Sequence, residues 1–386
     1  MNGSTARQGT SLNIFGAKAL VGKVNLGRNA YNKPLPAVDV YMQTAYDQTF
    51  FFGQTATKKC VGCTSSTKQG YRIDQSVMQM HDYYDDHSPK EFQYGNTTLI
   101  GEHQADMVCL KSDGQNCARP MHFFMATKAK TGDPVTKVDG AGVAGLAYKH
   151  RNSQNYLFTQ QLKNSGAIKK SVFSITFRRD EPAKSKILFG GYNLGKYALP
   201  NRSIRWHSVV QGQSTWTLNM DQHGLETKYA YKWSSPSLGT YAQIDSSIEG
   251  IHVRESSKPT VERYIKETIG YDFNLYQIDY YASCTDYQWS FYPDLIISLN
   301  GHRYWVSKDA YWKRENNKCT LKLFTKKGYD KWVLGQAWLE TQYTIFDYDN
   351  DRVGFVTSKN ARPLGQHSAG YSVMYKQNNT ASVEDI

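Results

Sequence analysis

Two short segments far apart in the chain carry the residue types on which chemistry could be built. In VDVYMQTAYDQTFFFG, residues 38–53, an apolar run that reads as a buried strand ends in the polar, turn-prone triplet Gln43-Thr44-Ala45. In YAQIDSSIEG, residues 241–250, a similar run ends in Asp245-Ser246-Ser247. A carboxylate at such a bend can take up and return a proton. The amide of Gln43 has none to share at ordinary pH and is restricted to hydrogen bonding. Corresponding places in the two segments thus hold one acid/base group and one neutral amide.

The elements that must position these triplets are mostly β. Runs such as SVFSITF, KILFGGYN, WTLNM, DLIISLNGHRYWV and YTIFDYDNDRVGFV are separated by NG, GG and DND turn signals. Two segments predict short helices. YLFTQQLKNSGAI offers Leu157, Leu162 and Ile168 as a buried face with Gly166 near its end, and PTVERYIKETIG predicts a helix that starts after Pro259 and stops at Gly270. Each half also contains an apolar-apolar-Gly step, Val143-Ala144-Gly145 in VAGLAY and Val333-Leu334-Gly335 in WVLGQAW. These paired landmarks predict two lobes, each presenting one loop to a shared cleft.

Composition sets the outer limits. A chain of 386 residues has ample core for one two-lobed unit or two domains, and 28 tyrosines suit a β-rich interior. The net charge of +12, from 46 basic and 34 acidic residues, predicts an acidic neighbour: anionic lipid headgroups or an acidic protein surface. No basic run with interleaved aromatics points to nucleic acid. No window approaches the roughly 18 apolar residues of a membrane span. From Met1 to Val38 there is no Asp or Glu, but Arg7, Lys18, Lys23, Arg28 and Lys33 are present. This start lacks the apolar core of a secretory signal and has the composition of a mitochondrial transit segment, although much of it also reads as a first strand.

Over roughly residues 20–360 the chain resembles the pepsin-like aspartic proteases (peptidase A1). VGKVNLG is similar to the family's opening strand, and FQYGNTTLIG to its flap hairpin, with Tyr94 and Gly95 at the flap tyrosine and glycine. VDGAGVAGLAY resembles DGILGLAY with two extra residues. QLKNSGAIKKSVFSITF, KILFGGYN, PDLIISLNGHRYWVSKDAY and WVLGQAWLETQYTIFDYDNDRVGF follow in the family's order. The resemblance implies a mostly β, bilobal acid-protease fold: two six-stranded-type β lobes with a cleft between them and a few short helices. It divides the chain into an N-terminal extension (1–17), an N-terminal lobe (18–200), a C-terminal lobe (201–361) and a C-terminal extension (362–386).

The family's chemistry uses two Asp-Thr-Gly triplets whose carboxylates lie about 3 Å apart and share one proton, because two like charges so close cannot both ionise. Here the matching triplets are Gln43-Thr44-Ala45 and Asp245-Ser246-Ser247. Gln43 cannot share a proton. Ala45 and Ser247 replace glycines, and a Cβ at either place is expected to push the loops apart or reorient them. Tyr46 and Ile248 put bulk where the floor of the cleft should be open. A rival register makes Asp47 the first aspartate, but Gln-Thr-Phe follows it and it lies beyond the turn. The departures lead to the expectation of a catalytically degenerate member with no catalytic residues, not an enzyme and without a cofactor. It would serve as an accessory subunit beside other protein subunits of a large complex. The expected home is the intermembrane-space side of the mitochondrial inner membrane, with the cytoskeleton or cilium and the secretory pathway as alternatives. Two other readings stay open: a peptide-binding module that uses Tyr94 and the retained cleft, and an atypical protease with Asp245 as sole carboxylate.

The cysteines form three local pairs, Cys60/Cys63, Cys109/Cys117 and Cys284/Cys319. The first and third resemble the family's disulfides, and the second flanks a hairpin, where cross-strand pairing is geometrically open. Disulfides at these sites imply an oxidising compartment, and buried reduced thiols are the alternative. Cys60-Val-Gly-Cys63 has no second ligand pair nearby, so no metal site is expected. His81 and His87 flank DYYDD, which reads as a solvated loop rather than a cation site. Asn96 and Asn201 open glycosylation triplets.

Overall fold

The computed structural model describes residues 10–13, 20–54, 60–61, 63, 70–81, 88–95, 97–111, 116–130, 140–148, 157–181, 184–227, 231–234, 240–277 and 281–361. The C-terminal extension 362–386, the DYYDD segment with His87, and Asn96 lie outside the described residues. The described chain is mostly β with a few short helices, and it divides into two compact units.

The first unit takes the described residues of Met1–Thr217 together with Gln243–Glu249 and Gln342–Asn360. In its larger sheet, β1 (Val21–Leu26) runs antiparallel to β2 (Ala37–Gln43), with Val21 opposite Tyr41 and Asn25 opposite Ala37. Every residue of β2 from Val40 onward is buried, as expected of a strand covered on both faces. β3 (Phe50–Gln54) follows the turn. A hairpin comes next, β4 (Lys90–Tyr94) and β5 (Thr97–Cys109), with Tyr94 opposite Thr97. Gly95 sits at its tip with φ +56°, a left-handed conformation that costs glycine nothing. β6 (Cys117–Ala129) returns along β5, and the Cys109–Cys117 disulfide joins directly opposed residues.

β7 (Gly142–Gly145) closes this sheet by pairing with two strands at once. It is parallel to β2, with Gly145 opposite Gln43, and antiparallel to β3. Gly145 is obligatory by close approach: a Cβ there would lie 2.6 Å from the Gln48 carbonyl oxygen. The VAGLAY landmark is therefore the strand that walls in the turn after β2.

A second sheet of this unit has six strands in the order Thr10–Asn13, Lys186–Phe189, Val172–Thr176, Gln342–Asp347, Arg352–Thr357 and Arg205–Ser208. Part of the expected N-terminal extension is thus a paired strand. One face stacks Phe173 on Phe346 at 4.4 Å, with Trp216 4.7 Å from Tyr348. The polar ends of these rings find partners, as buried indoles and phenols must. Trp216 Nε1 donates to the Leu146 carbonyl (2.7 Å) and the Tyr348 hydroxyl to that of Ala147 (2.8 Å). Both bonds fix the chain where it leaves β7.

The second unit takes the described residues of Leu218–Ala242 and Gly250–Thr341, with Ala361. The eight-stranded sheet includes β8 (Tyr241–Ile244), of which Gln243 and Ile244 count with the first unit, beside β9 (Trp332–Leu334), the strand of the second apolar-apolar-Gly landmark. A small three-stranded sheet, Tyr281–Ser283, Lys318–Leu321 and Trp312–Glu315, is stapled by Cys284–Cys319 across a separation of 35 residues. Closing a loop of that length removes about 4 kcal/mol of unfolded-chain entropy. Cys60 and Cys63 are also disulfide-bonded. The helix α1 (Lys258–Ile269) carries Pro259 in its first turn, where no N–H is needed, and ends on Gly270 at φ +79°. The other expected helix spans Phe158–Asn164.

The second unit buries two histidines without hydrogen-bond partners among the described residues: neither ring nitrogen of His223 or His252 has one. His223 packs on Trp332 at 4.8 Å and His252 on Phe324 at 4.0 Å. Burial holds each imidazole down at about 4, with Lys326 adding repulsion at His252. An unfolded-chain histidine takes its proton near pH 6.5, so between pH 6.5 and 4 the unfolded state binds more protons than the folded one. The resulting stability is complete above pH 6.5 and is lost as pH falls. Urea unfolding at pH 7 and pH 4 should differ by about 3 kcal/mol for each histidine. His223→Leu should remove its share of that difference, and an unchanged pH dependence would refute the assignment.

Candidate active site

β2 delivers Gln43, 7% exposed, and β8 delivers Asp245, 9% exposed, each at the point where its strand ends. The residues that follow bind each other reciprocally. Thr44 N–H donates to Ser246 Oγ (3.1 Å) and Ser246 N–H donates to Thr44 Oγ1 (2.9 Å). Each hydroxyl then donates onward into the opposite strand, Thr44 Oγ1 to the Ile244 carbonyl (3.2 Å) and Ser246 Oγ to that of Met42 (2.9 Å). Both side chains are fully buried, so the four bonds form in a medium where an unmade one is costly. The approximate twofold symmetry of this fastening makes Gln43 and Asp245 equivalent positions, one residue before each hydroxyl. Asp47 lies beyond the turn, half-buried in the segment leading to β3.

One sequence expectation is corrected by this geometry. The Cβ atoms of Ala45 and Ser247 do not push the turns apart. Neither residue adopts a positive φ, and the hydroxyls of Thr44 and Ser246 hold the turns together. Tyr46 does bring bulk beside the site, and that bulk is engaged. Its hydroxyl donates to the Gln93 carbonyl (2.9 Å), and its ring meets Tyr94 edge-on at 5.0 Å.

Asp245 is positioned by its own turn: Oδ1 accepts from Ser247 N–H (2.8 Å) and Ser247 Oγ (2.6 Å). Burial raises its pKa above the usual carboxylate value, and the two Ser247 bonds partly offset the rise. Gln43 Nε2 donates to the Tyr94 hydroxyl (2.6 Å), which ties the hairpin to the end of β2. The Tyr94 phenol is pushed up to about 12, first by burial, with the Gln43 bond opposing and the Asp245 charge adding to the rise. The structure thus gathers Gln43, Tyr94, Asp245, Ser246 and Ser247 into one site, with Gly95 at the hairpin tip. The six cysteines are disulfide-bonded, and Cys60 and Cys63 pack on the apolar cluster that Tyr46 and Tyr94 also cover. Sequence reasoning named Thr44 and Tyr46 but assigned neither of them a bond. The matched hydroxyls at the centres of the two triplets were a readable signal for the first.

A family model described as eukaryotic aspartyl protease matches residues 44–358. The chain belongs to the eukaryotic aspartyl protease family. Its relatives include gastricsin of Rattus norvegicus, 27% identical over 286 residues (72% of this chain, 68% of that protein). Pregnancy-associated glycoprotein 4 of Ovis aries is 27% identical over 218 residues, 55% of this chain and 53% of its own length. Pepsin-3 of Oryctolagus cuniculus is 21% identical over 346 residues, 84% of each.

Membership in this protease family, with relatives named as gastricsin and pepsin, overturns the expectation of a chain that is not an enzyme. That expectation treated the changed triplets as a dismantled site. The substitutions at 43, 45 and 247 change which polar atoms the aspartyl protease turns present, but the fastening that brings those turns together is intact. Ser246→Ala removes both the donor to Met42 and the acceptor for Thr44, leaving two buried backbone groups unpaired. It should cost about 2–4 kcal/mol in chemical denaturation, and a loss below about 0.5 kcal/mol would show that the fastening contributes little.

Proposed function

We propose that this chain binds an extended peptide beneath the β4–β5 hairpin and hydrolyses it with one carboxylate, Asp245, in place of two. The observation that carries this reading is the Thr44–Ser246 fastening, which sets a carboxylate and a neutral amide donor at matching positions. Family membership supports the substrate class. The peptide would add as a strand-like segment to the hairpin, gaining main-chain hydrogen bonds.

Ionised Asp245 takes a proton from a water molecule, which attacks the peptide carbonyl. The Gln43 amide donates a hydrogen bond to the oxygen on which negative charge develops, without giving up a proton. Protonated Asp245 then returns its proton to the departing amine, and the C–N bond breaks. One group serves in turn as base and acid, so the cycle closes. The absent acid costs on the order of 10²–10⁴ in rate relative to a two-carboxylate site. Burial helps here, because a carboxylate with a raised pKa is a stronger base.

One contact favours a second reading, in which the site grips peptides more than it turns them over: the Gln43 amide is already engaged by Tyr94. The two readings part in a pH–rate profile of quenched-fluorescent peptide cleavage beside equilibrium binding. Cleavage should rise with pH through the raised Asp245 ionisation and then level off, with no descending limb from a second carboxyl group. Asp245→Asn should lower it at least about a hundredfold. Activity that falls as pH rises through this range would sink the single-carboxylate mechanism. Binding without cleavage would establish the second reading, and no binding would end both.

A further inference from the structure

The described residues of the hairpin are cross-braced by the Gln93 side chain. The Gln93 side chain accepts from Thr98 Oγ1 (3.0 Å) across the hairpin and donates through Nε2 to the Gly95 carbonyl (2.9 Å), linking both strands to the turn. Lys130 forms an ion pair with Glu91 at the start of β4. Beyond the tip, a Cβ on Gly95 would meet no atom within 4 Å, so the turn is open to solvent.

Hydrogen bonds join the hairpin to the floor, among them Gln43 Nε2 to the Tyr94 hydroxyl and the Tyr46 hydroxyl to the Gln93 carbonyl. Between them lies a packed set of rings. Tyr46 lies 5.0 Å from Tyr94 and 6.1 Å from Phe92, and Phe50 lies 5.0 Å from Tyr94 and 5.6 Å from Phe92, all at steep interplanar angles. Phe50 has no polar group, so it offers Tyr94 only its ring. The Tyr46 hydroxyl bonds the hairpin backbone from a position directly after the Gln43-Thr44-Ala45 turn.

We propose that Tyr46 is a positioning residue that latches the hairpin over Gln43 and Asp245, so that admitting a peptide requires the tip to swing away as a unit. This deepens the peptide-site reading above and rests on it for the identity of what enters. The latch itself can be tested without a ligand. Entry would be limited by breaking the Tyr46–Gln93 and Gln43–Tyr94 bonds and parting the rings, whereas the tip keeps its internal shape through Gln93.

The test is hydrogen–deuterium exchange followed by mass spectrometry on the full chain and on Tyr46→Phe, which keeps the ring and deletes the hydroxyl. Exchange in residues 90–100 should quicken roughly twofold to tenfold, the weight of one hydrogen bond, with the rest of the chain and the melting temperature unchanged. Tyr31→Phe, a substitution at an 84% exposed tyrosine, should change nothing. Gln43→Met should quicken the same residues, and the double variant should quicken them further. In stopped flow, a fluorescent statine-containing peptide should associate with Tyr46→Phe faster by a similar factor. Unchanged exchange at 90–100, or acceleration spread over the whole chain, would overturn the latch whether or not the peptide binds. A peptide that binds neither protein while local exchange quickens would leave the latch standing and count against the peptide reading.

Discussion

The site depends on an exchange of hydroxyls. Thr44 and Ser246 each supply a donor and an acceptor, and each uses both on the partner turn and the strand behind it. A hydroxyl is the smallest side-chain group that can do this, and both are sealed from water, where leaving either half unmade is expensive. Residues 43, 45, 46, 247 and 248 depart from the pattern that the resemblance led one to expect, and the pair at 44 and 246 closes all the same. The chain's most unusual residues therefore sit beside its most regular feature.

Much of this was legible in the sequence because the order of short strands is a local property. The apolar-apolar-Gly steps at Val143–Gly145 and Val333–Gly335 announced the strands that flank the two triplets. Gly95 and Gly270 marked a hairpin tip and a helix end, since few other residues accept those backbone angles. What was not legible came from contacts between distant residues. The outcome at Ala45 and Ser247 turns on backbone angles and on a fastening between residues 202 apart, neither of which shows in residue type. Tyr46 read as an obstruction because its partner, the Gln93 carbonyl, is a main-chain atom that carries no sequence signature. The two units also draw on discontinuous stretches of chain: Gln243–Glu249 belongs with the first unit although the residues on either side belong to the second.

One carboxylate stands where the family's chemistry uses two, and a neutral amide and a phenol held in its protonated form surround it. In the second unit, His223 and His252 are likewise kept neutral by burial. Each arrangement rests on the same physical fact, that an apolar, aromatic interior disfavours an unpaired charge. Polarity at the site comes from oriented dipoles more than from ions.

The strand Thr10–Asn13 lies at the margin of the six-stranded sheet, where it covers Lys186–Phe189 from Thr10 opposite Phe189 to Asn13 opposite Lys186. Trimming the chain past this point, or fusing a bulky tag that drags the segment off, would bare a row of backbone donors and acceptors along Ile187 and Leu188. An uncovered edge of that kind recruits strands from other molecules. Whoever prepares this protein for biophysical work should therefore place affinity handles well ahead of Thr10, and should suspect self-association first if a shortened version precipitates.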